Sequence, residues 1–126
     1  MGILDGKVAI ITGGMSGIGK RIAVVFRGGR RSDRRWRAAR DKGQQLERER
    51  GDAARFIRTD VSDAGQVDAM IDGAVTNFGR MDCLVDNAGS PSPMVSIVDV
   101  DMDDFDRVNW INVRGVMLGT KPVIRT

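Results

Sequence analysis

Apolar and polar positions along this chain switch between two regimes. Lys7–Thr12 and Met81–Val85 are short runs in which apolar, partly β-branched residues follow one another, each closed by a turn rich in Gly or Asn. Such runs suit strands of a parallel sheet covered on both faces. Between them lie stretches with apolar residues every three or four positions, the spacing of one helix face. This predicts a helix over Ile18–Phe26, with Ile18, Ile22 and Val25 on one face and Ala23 and Phe26 broadening it. A second predicted helix covers Ala64–Phe78, capped by Ser62, ended by Gly79, and turning Val67, Met70, Ile71, Ala74, Val75 and Phe78 inward. A third runs from Met102 through Phe105, Val108, Ile111, Asn112 and Gly115 to about Thr120, where Pro122 interferes with its continuation. A helix over Asp41–Arg50 and a strand over Ala54–Val61 complete the alternation, and Ser90–Pro93 is a loop stiffened by two prolines. Strand and helix in turn predict an α/β fold, the first half of a doubly wound parallel sheet of order 3-2-1-4.

One element of that alternation is out of place. Residues 27–40 hold Arg27, Arg30, Arg31, Arg34, Arg35, Arg37 and Arg40 against a single acid, Asp33, so the net charge of +3 hides a basic segment and an acidic remainder. The second strand belongs here. A run whose first part is apolar only at Trp36 cannot be a buried strand, because unpaired buried charges are too costly. With Arg as CGN and Ser as TCN, reading one base later permits a turn and an apolar strand, so the segment has the character of a shifted frame and is read as a solvated insert. Nucleic-acid binding, with Trp36 for stacking, is the alternative set aside. Anchoring a 2′-phosphate would need one placed Arg rather than seven.

At 126 residues the chain is one domain at most, or part of one. Its 41% hydrophobic and 29% charged residues are ordinary for a soluble protein. No membrane span and no signal peptide are expected, and the location expected is cytoplasmic. Cys83, the only cysteine, reads as a small core residue in a reducing compartment. The chain has no His, which removes Ser–His and Cys–His catalysis and most zinc sites; no metal is expected.

The chemistry lies in Thr12-Gly13-Gly14-Met15-Ser16-Gly17-Ile18-Gly19, between the first strand and the first helix. A helix start offers unpaired backbone N–H groups and the positive end of a dipole, and glycines let a pyrophosphate come close. Asp86-Asn87-Ala88-Gly89 ends the strand at Cys83-Leu84-Val85, and Asn112 follows on the last helix. From Leu4 to Thr120 the chain resembles the short-chain dehydrogenase/reductase family of NAD(P)-dependent oxidoreductases. That family carries T-G-x-x-x-G-I-G, N-N-A-G, a catalytic Asn, then Ser and Y-x-x-x-K. The first motif matches at every fixed position; the second matches except that Asp86 stands for Asn, which removes donors and adds negative charge near a phosphate-rich ligand.

The resemblance implies a Rossmann-type sheet that binds NAD or NADP. The implied cofactor residues are Thr12, Gly13, Ser16, Gly17, Ile18, Gly19, Asp60, Val61, Asn87, Ala88 and Gly89, with Asp60 and Val61 at the adenine. It implies Asn112 as the catalytic Asn, kinked to hold a water, and hydride transfer between a small-molecule alcohol and a ketone. It also implies homo-oligomers built partly on the helix carrying Asn112, which this chain holds incompletely. Residues 1–126 thus read as the N-terminal part of one NAD(P)-binding domain, with 27–40 aberrant. The chain has no Tyr. It is therefore expected to bind cofactor without turnover, since general acid–base help is worth ~10²–10⁴ in rate. A dinucleotide-binding remnant or pseudoenzyme is the alternative function, ahead of a basic nucleic-acid-binding protein; neither nucleic acid nor membrane is an expected partner.

Overall fold

A computed structural model describes residues 3–26 and 54–124. The Arg-rich segment 27–40, the second strand and the helix expected over Asp41–Arg50 lie outside the described residues. Two strands, β1 (Ala9–Ile11) and β2 (Cys83–Val85), pair in parallel with Ala9 opposite Cys83, Ile10 opposite Leu84 and Ile11 opposite Val85. They are the first and fourth strands of the expected order, and they neighbour each other as that order requires. Cys83 is half-buried rather than core, because no described strand flanks β2 on its other edge.

The ladder begins at a carboxylate. Asp82 accepts from the Val8 N–H at 2.8 Å and from Arg80 Nε at 2.9 Å, and pairs with Lys7 Nζ at 3.5 Å. Its own N–H and that of Cys83 donate back to the Val8 carbonyl at 2.9 and 3.1 Å. The Arg80 guanidinium, helped by the Val8 N–H, holds the Asp82 carboxyl down to about 2.

Helix α1 (Gly17–Val25) follows β1, and α2 (Ala64–Phe78) precedes β2. Ile18 and Val25, expected on the inward face of α1, are both exposed, at the two ends of the helix. The inward face of α2 is as its spacing requires: Val67, Met70, Ile71 and Ala74 are buried, with Ile10 of β1. Met81, Leu84, Leu118 and Val123 pack around them. The cap of α2 is Asp63 rather than Ser62: the Asp63 carboxylate accepts from the Gln66 N–H at 3.0 Å, and Ser62 is engaged elsewhere. Gly79 ends the helix with φ 75°.

Residues 54–60 form no strand, contrary to expectation. In the order 3-2-1-4 this segment's ladder partner is the second strand, and no described residue takes that place. The segment is held by packing instead: a Cβ on Gly73 of α2 would lie 2.7 Å from Ile57 Cδ1. A cavity of about 730 Å³ runs between it and β1.

After β2, residues 86–96 are irregular, and a 3₁₀ turn over Ile97–Asp99 leads to α3 (Met102–Asn109). The expected single helix is interrupted by one π turn, Trp110–Arg114, before α4 (Gly115–Val123). Pro122 does not end α4 but lies in its last turn, which closes past it through Ile124 N–H to the Thr120 carbonyl at 3.2 Å.

Candidate functional site

Thr12 leaves β1 at its carboxyl end, the end at which open α/β sheets hold ligands. It is only 6% exposed, and its hydroxyl is fully used. The oxygen accepts from the Asn87 and Ala88 N–H groups, both at 3.0 Å, and donates to the Val85 carbonyl at 3.4 Å. Asn87 answers through its amide nitrogen, which donates to the carbonyls of Thr12 at 3.0 Å and Gly13 at 3.3 Å. Two motifs about 75 residues apart become one surface through these bonds.

The glycines explain themselves against that surface. Gly13 has φ 62°, and a Cβ there would sit 2.9 Å from the Asn87 amide nitrogen and 3.0 Å from Ala88 Cα. Gly19, buried in the first turn of α1, would drive a Cβ into the Asn87 amide and to 2.6 Å from the Gly13 carbonyl oxygen. Gly17, at the first position of α1, has φ 50° and open space where a Cβ would be. Ser16 caps α1 by backbone position while its hydroxyl makes no capping bond, and the first turn holds no acid. The N-terminal N–H groups of α1 and the Ser16 hydroxyl therefore face outward as donors.

Asp86 is turned away from this loop. Its carboxylate accepts from Thr120 Oγ1 at 3.3 Å and lies under Gly119 of α4. The negative charge expected near a phosphate-rich ligand thus faces α4. Burial pushes the Asp86 carboxyl up, against the smaller opposite effect of the Thr120 hydrogen bond.

Asn112 is exposed, not partly buried as its apolar neighbours Ile111 and Val113 imply. Its amide nonetheless closes a two-point bond with the backbone of Ser90, accepting from Ser90 N–H at 2.8 Å and donating to the Ser90 carbonyl at 2.9 Å. Gly89 lies directly against it, a Cβ there reaching 3.4 Å from the Asn112 oxygen. The kink expected at Asn112 is present as the π turn, closed by Gly115 N–H to the Trp110 carbonyl. Single π turns of this kind gather at functional sites.

Asp60 and Val61 stand at the far end of the same face, lining the cavity with Gly13, Gly14 and Met15. Ser62 donates both its N–H, at 2.9 Å, and its hydroxyl, at 2.7 Å, to one Asp60 oxygen. The Ser62 hydroxyl, then its N–H, hold the Asp60 carboxyl below the usual carboxylate range.

Two participants, Arg107 and Arg114, were not legible in the sequence. Arg107 donates to Ser90 Oγ at 2.6 Å while paired with Asp104 at 3.0 Å. Arg114 and Ser62 meet across about 52 residues. The i, i+3 spacing of Asp104 and Arg107 signals their pairing on a helix, but nothing in the sequence points either arginine at a loop. Among the described residues, no group of three or more His, Cys, Asp or Glu could hold a metal.

A glycine turn joining a parallel strand to a helix, held against a second loop at the same end of the sheet, defines an incomplete Rossmann-type α/β fold. The chain belongs to the short chain dehydrogenase family, whose model matches residues 7–126. It is 38% identical over 127 residues to 3β-hydroxysteroid dehydrogenase 2 of Eggerthella lenta, covering 98% of this chain and 48% of that protein. It is 40% identical over 128 residues to momilactone A synthase of Oryza sativa subsp. japonica, covering 97% of this chain and 45% of the other. The crystal structure of 3-ketoacyl-(acyl-carrier-protein) reductase from Brucella melitensis complexed with NADH superposes with a TM-score of 0.84 at 36% identity, over 97% of this chain and 50% of that one. The chain thus spans about half the length of the relatives it matches.

Proposed function

We propose that these residues form the dinucleotide half of an NAD(P)-dependent oxidoreductase site, one that serves hydride transfer between a small-molecule alcohol and a ketone. The observation that carries this reading is the Thr12–Asn87 clasp, which presses the glycine turn onto Asn87-Ala88-Gly89 so closely that Gly13 and Gly19 leave no room for a Cβ. The residues fit the cofactor: the start of α1 has open space at Gly17 and N-terminal donors without a capping side chain, which suit a pyrophosphate. Ser16, Gly17, Ile18 and Gly19 hold the pyrophosphate, Asn87, Ala88 and Gly89 flank the ribose, and Asp60 and Val61 receive the adenine. Thr12 and Gly13 shape the turn. When bound, the nicotinamide would supply or accept the hydride. Asn112 fixes the loop at Ser90 beside that site. The relative solved with NADH supports the cofactor. Whether it is NAD or NADP turns on the second strand, outside the described residues.

No Tyr is present in these 126 residues, so the chain on its own is proposed to bind cofactor without turnover. A cytoplasmic location accords with a lone, half-buried cysteine, and no described helix is long and apolar enough to cross a membrane. Titration of the 126-residue chain with NADH, followed by the cofactor's own fluorescence, tests the reading. Saturable binding is expected in the unmodified chain and its loss, by tenfold or more, in Gly19→Ala. An unmodified chain that leaves NADH fluorescence unchanged sinks the proposal, as does a Gly19→Ala chain that binds equally well.

A further inference from the structure

The π turn presents two residues to the corner at Asp60-Val61-Ser62. Arg114 lies over the Trp110 ring, 4.1 Å from its centroid, and reaches across to donate to the Ser62 carbonyl at 2.7 Å. Gly115, one residue on, is buried against Val61: a Cβ there would lie 3.0 Å from Val61 Cγ2 and 3.2 Å from the Val61 carbonyl oxygen. A side chain at this position would push the corner away, and the arginine pulls it in. The ring beneath the guanidinium restricts it to the reaching direction, since a cation held over an aromatic face loses the freedom a solvated arginine keeps.

The corner so held is ordered from within. Both Ser62 donors fall on the same Asp60 oxygen, Oδ1, and the Asp60 N–H donates to Gln66 Oε1 at 2.9 Å. Oδ2 of Asp60 has no hydrogen-bond partner among the described residues, and Asp60 is exposed at the cavity. Were Ser62 to move, both of its donors would move with it, and the plane of the Asp60 carboxylate would no longer be set. With Ser62 tethered by Arg114, one oxygen holds both donors and the other is left as an acceptor in a fixed direction.

We infer that Arg114 is a positioning residue for cofactor recognition: through Ser62 it orients Asp60 so that the carboxylate selects a base bearing an exocyclic amino group. This rests on the proposed cofactor reading and adds to it the residue that sets base selectivity. Arg114 itself touches no cofactor.

The test compares reduced nicotinamide adenine dinucleotide with its hypoxanthine analogue, which replaces the 6-amino group by a carbonyl oxygen. One hydrogen bond to a charged acceptor corresponds to a preference of about tenfold or more for the adenine form. The unmodified chain is expected to show that preference. Arg114→Ala is expected to reduce it to threefold or less, mainly by weakening the adenine form. Arg114→Lys, which keeps a donor in reach of Ser62, is expected to recover part of it, and far-UV circular dichroism checks that each variant is folded. A merely structural role would weaken both ligands alike and leave their ratio intact, and that outcome overturns the inference. If Arg114→Ala does not fold, Arg114→Met, which keeps the apolar stem and removes the donors, takes its place: a ratio of threefold or less supports the tether, and an intact ratio overturns it. An unmodified chain that binds neither dinucleotide overturns the cofactor reading itself. One that binds both equally overturns the assignment of Asp60 and leaves cofactor binding standing.

Discussion

The hydroxyl of Thr12 joins a turn and a loop that the chain separates by most of its length. Its oxygen serves two backbone N–H groups at once, those of Asn87 and Ala88. Replacing it by an apolar group of the same shape leaves those donors unpaired next to a buried position. Unsatisfied buried groups cost about 1–3 kcal/mol. Thr12→Val is therefore expected to destabilise the chain by about 2 kcal/mol, while Thr12→Ser, which keeps the oxygen, loses much less. Equal melting temperatures for the two variants would show that water replaces the hydroxyl at no cost. Asn87 is bound to the same fate, because its amide nitrogen is spent on the Thr12 and Gly13 carbonyls rather than on a ligand. Residues of the proposed cofactor site can thus act by shaping its surface.

Elements here depend on partners more than on propensity. Ala54–Val61 has the apolar, β-branched character of a strand, yet 54–60 stays irregular for lack of a ladder partner among the described residues. β1 and β2 do pair, and the Asp82 carboxylate fastens their beginning to Val8, Arg80 and Lys7. The folded carboxyl is held down to about 2, against about 3.9 in an unfolded chain. A depressed carboxylate contributes stability that is complete above the unfolded value and is lost as pH falls through the folded one. The stability from Asp82 is thus expected to disappear between about pH 4 and pH 2. Asp82→Asn should melt lower at neutral pH and show a flatter acid limb over that window. Parallel acid limbs for the two chains in thermal melts across pH would argue against the assignment. The helix carrying Asn112 makes the same point in another way. Its apolar spacing is continuous, but the π turn inserted at Trp110–Arg114 re-aims Arg114 and Gly115 at a corner that no helical periodicity would reach.

Seen whole, the described residues bury a small core, five hydrophobic side chains centred on α2 and Ile10, and leave much apolar surface open. Met94, Ile97, Val98, Met102 and Phe105 are all exposed, and they follow one another from the irregular segment into α3. A row of this kind on a monomer marks a surface that is covered by something or that associates. The chain is expected to raise the fluorescence of an apolar dye such as ANS and to sediment faster as its concentration rises. Met102→Lys with Phe105→Lys should weaken both responses. Sedimentation as a monomer at all concentrations, with no dye response, would count against an adhesive surface.

What the sequence determined by itself was local. A 3.6-residue period marks α2 and its buried face because a helix sets its own geometry within a few residues. The glycines at 13 and 19 are legible because a strand-to-helix turn with close backbone contact excludes side chains, and Gly17 because such a turn takes a positive φ, here 50°. The roles proposed for Asn87, Ala88, Gly89 and Asn112 rest on their order along the chain, which a family resemblance preserves. Tertiary structure decided what depends on distant partners. It determined whether 54–60 becomes a strand, that Asp63 rather than Ser62 caps α2, that Asp86 faces α4, and that Arg114 reaches Ser62. The reason is physical. A ladder bond, a shared carboxylate and a long arginine each satisfy groups that lie far apart in the chain. Their energies exist only once the fold has brought those groups within about 3 Å of each other.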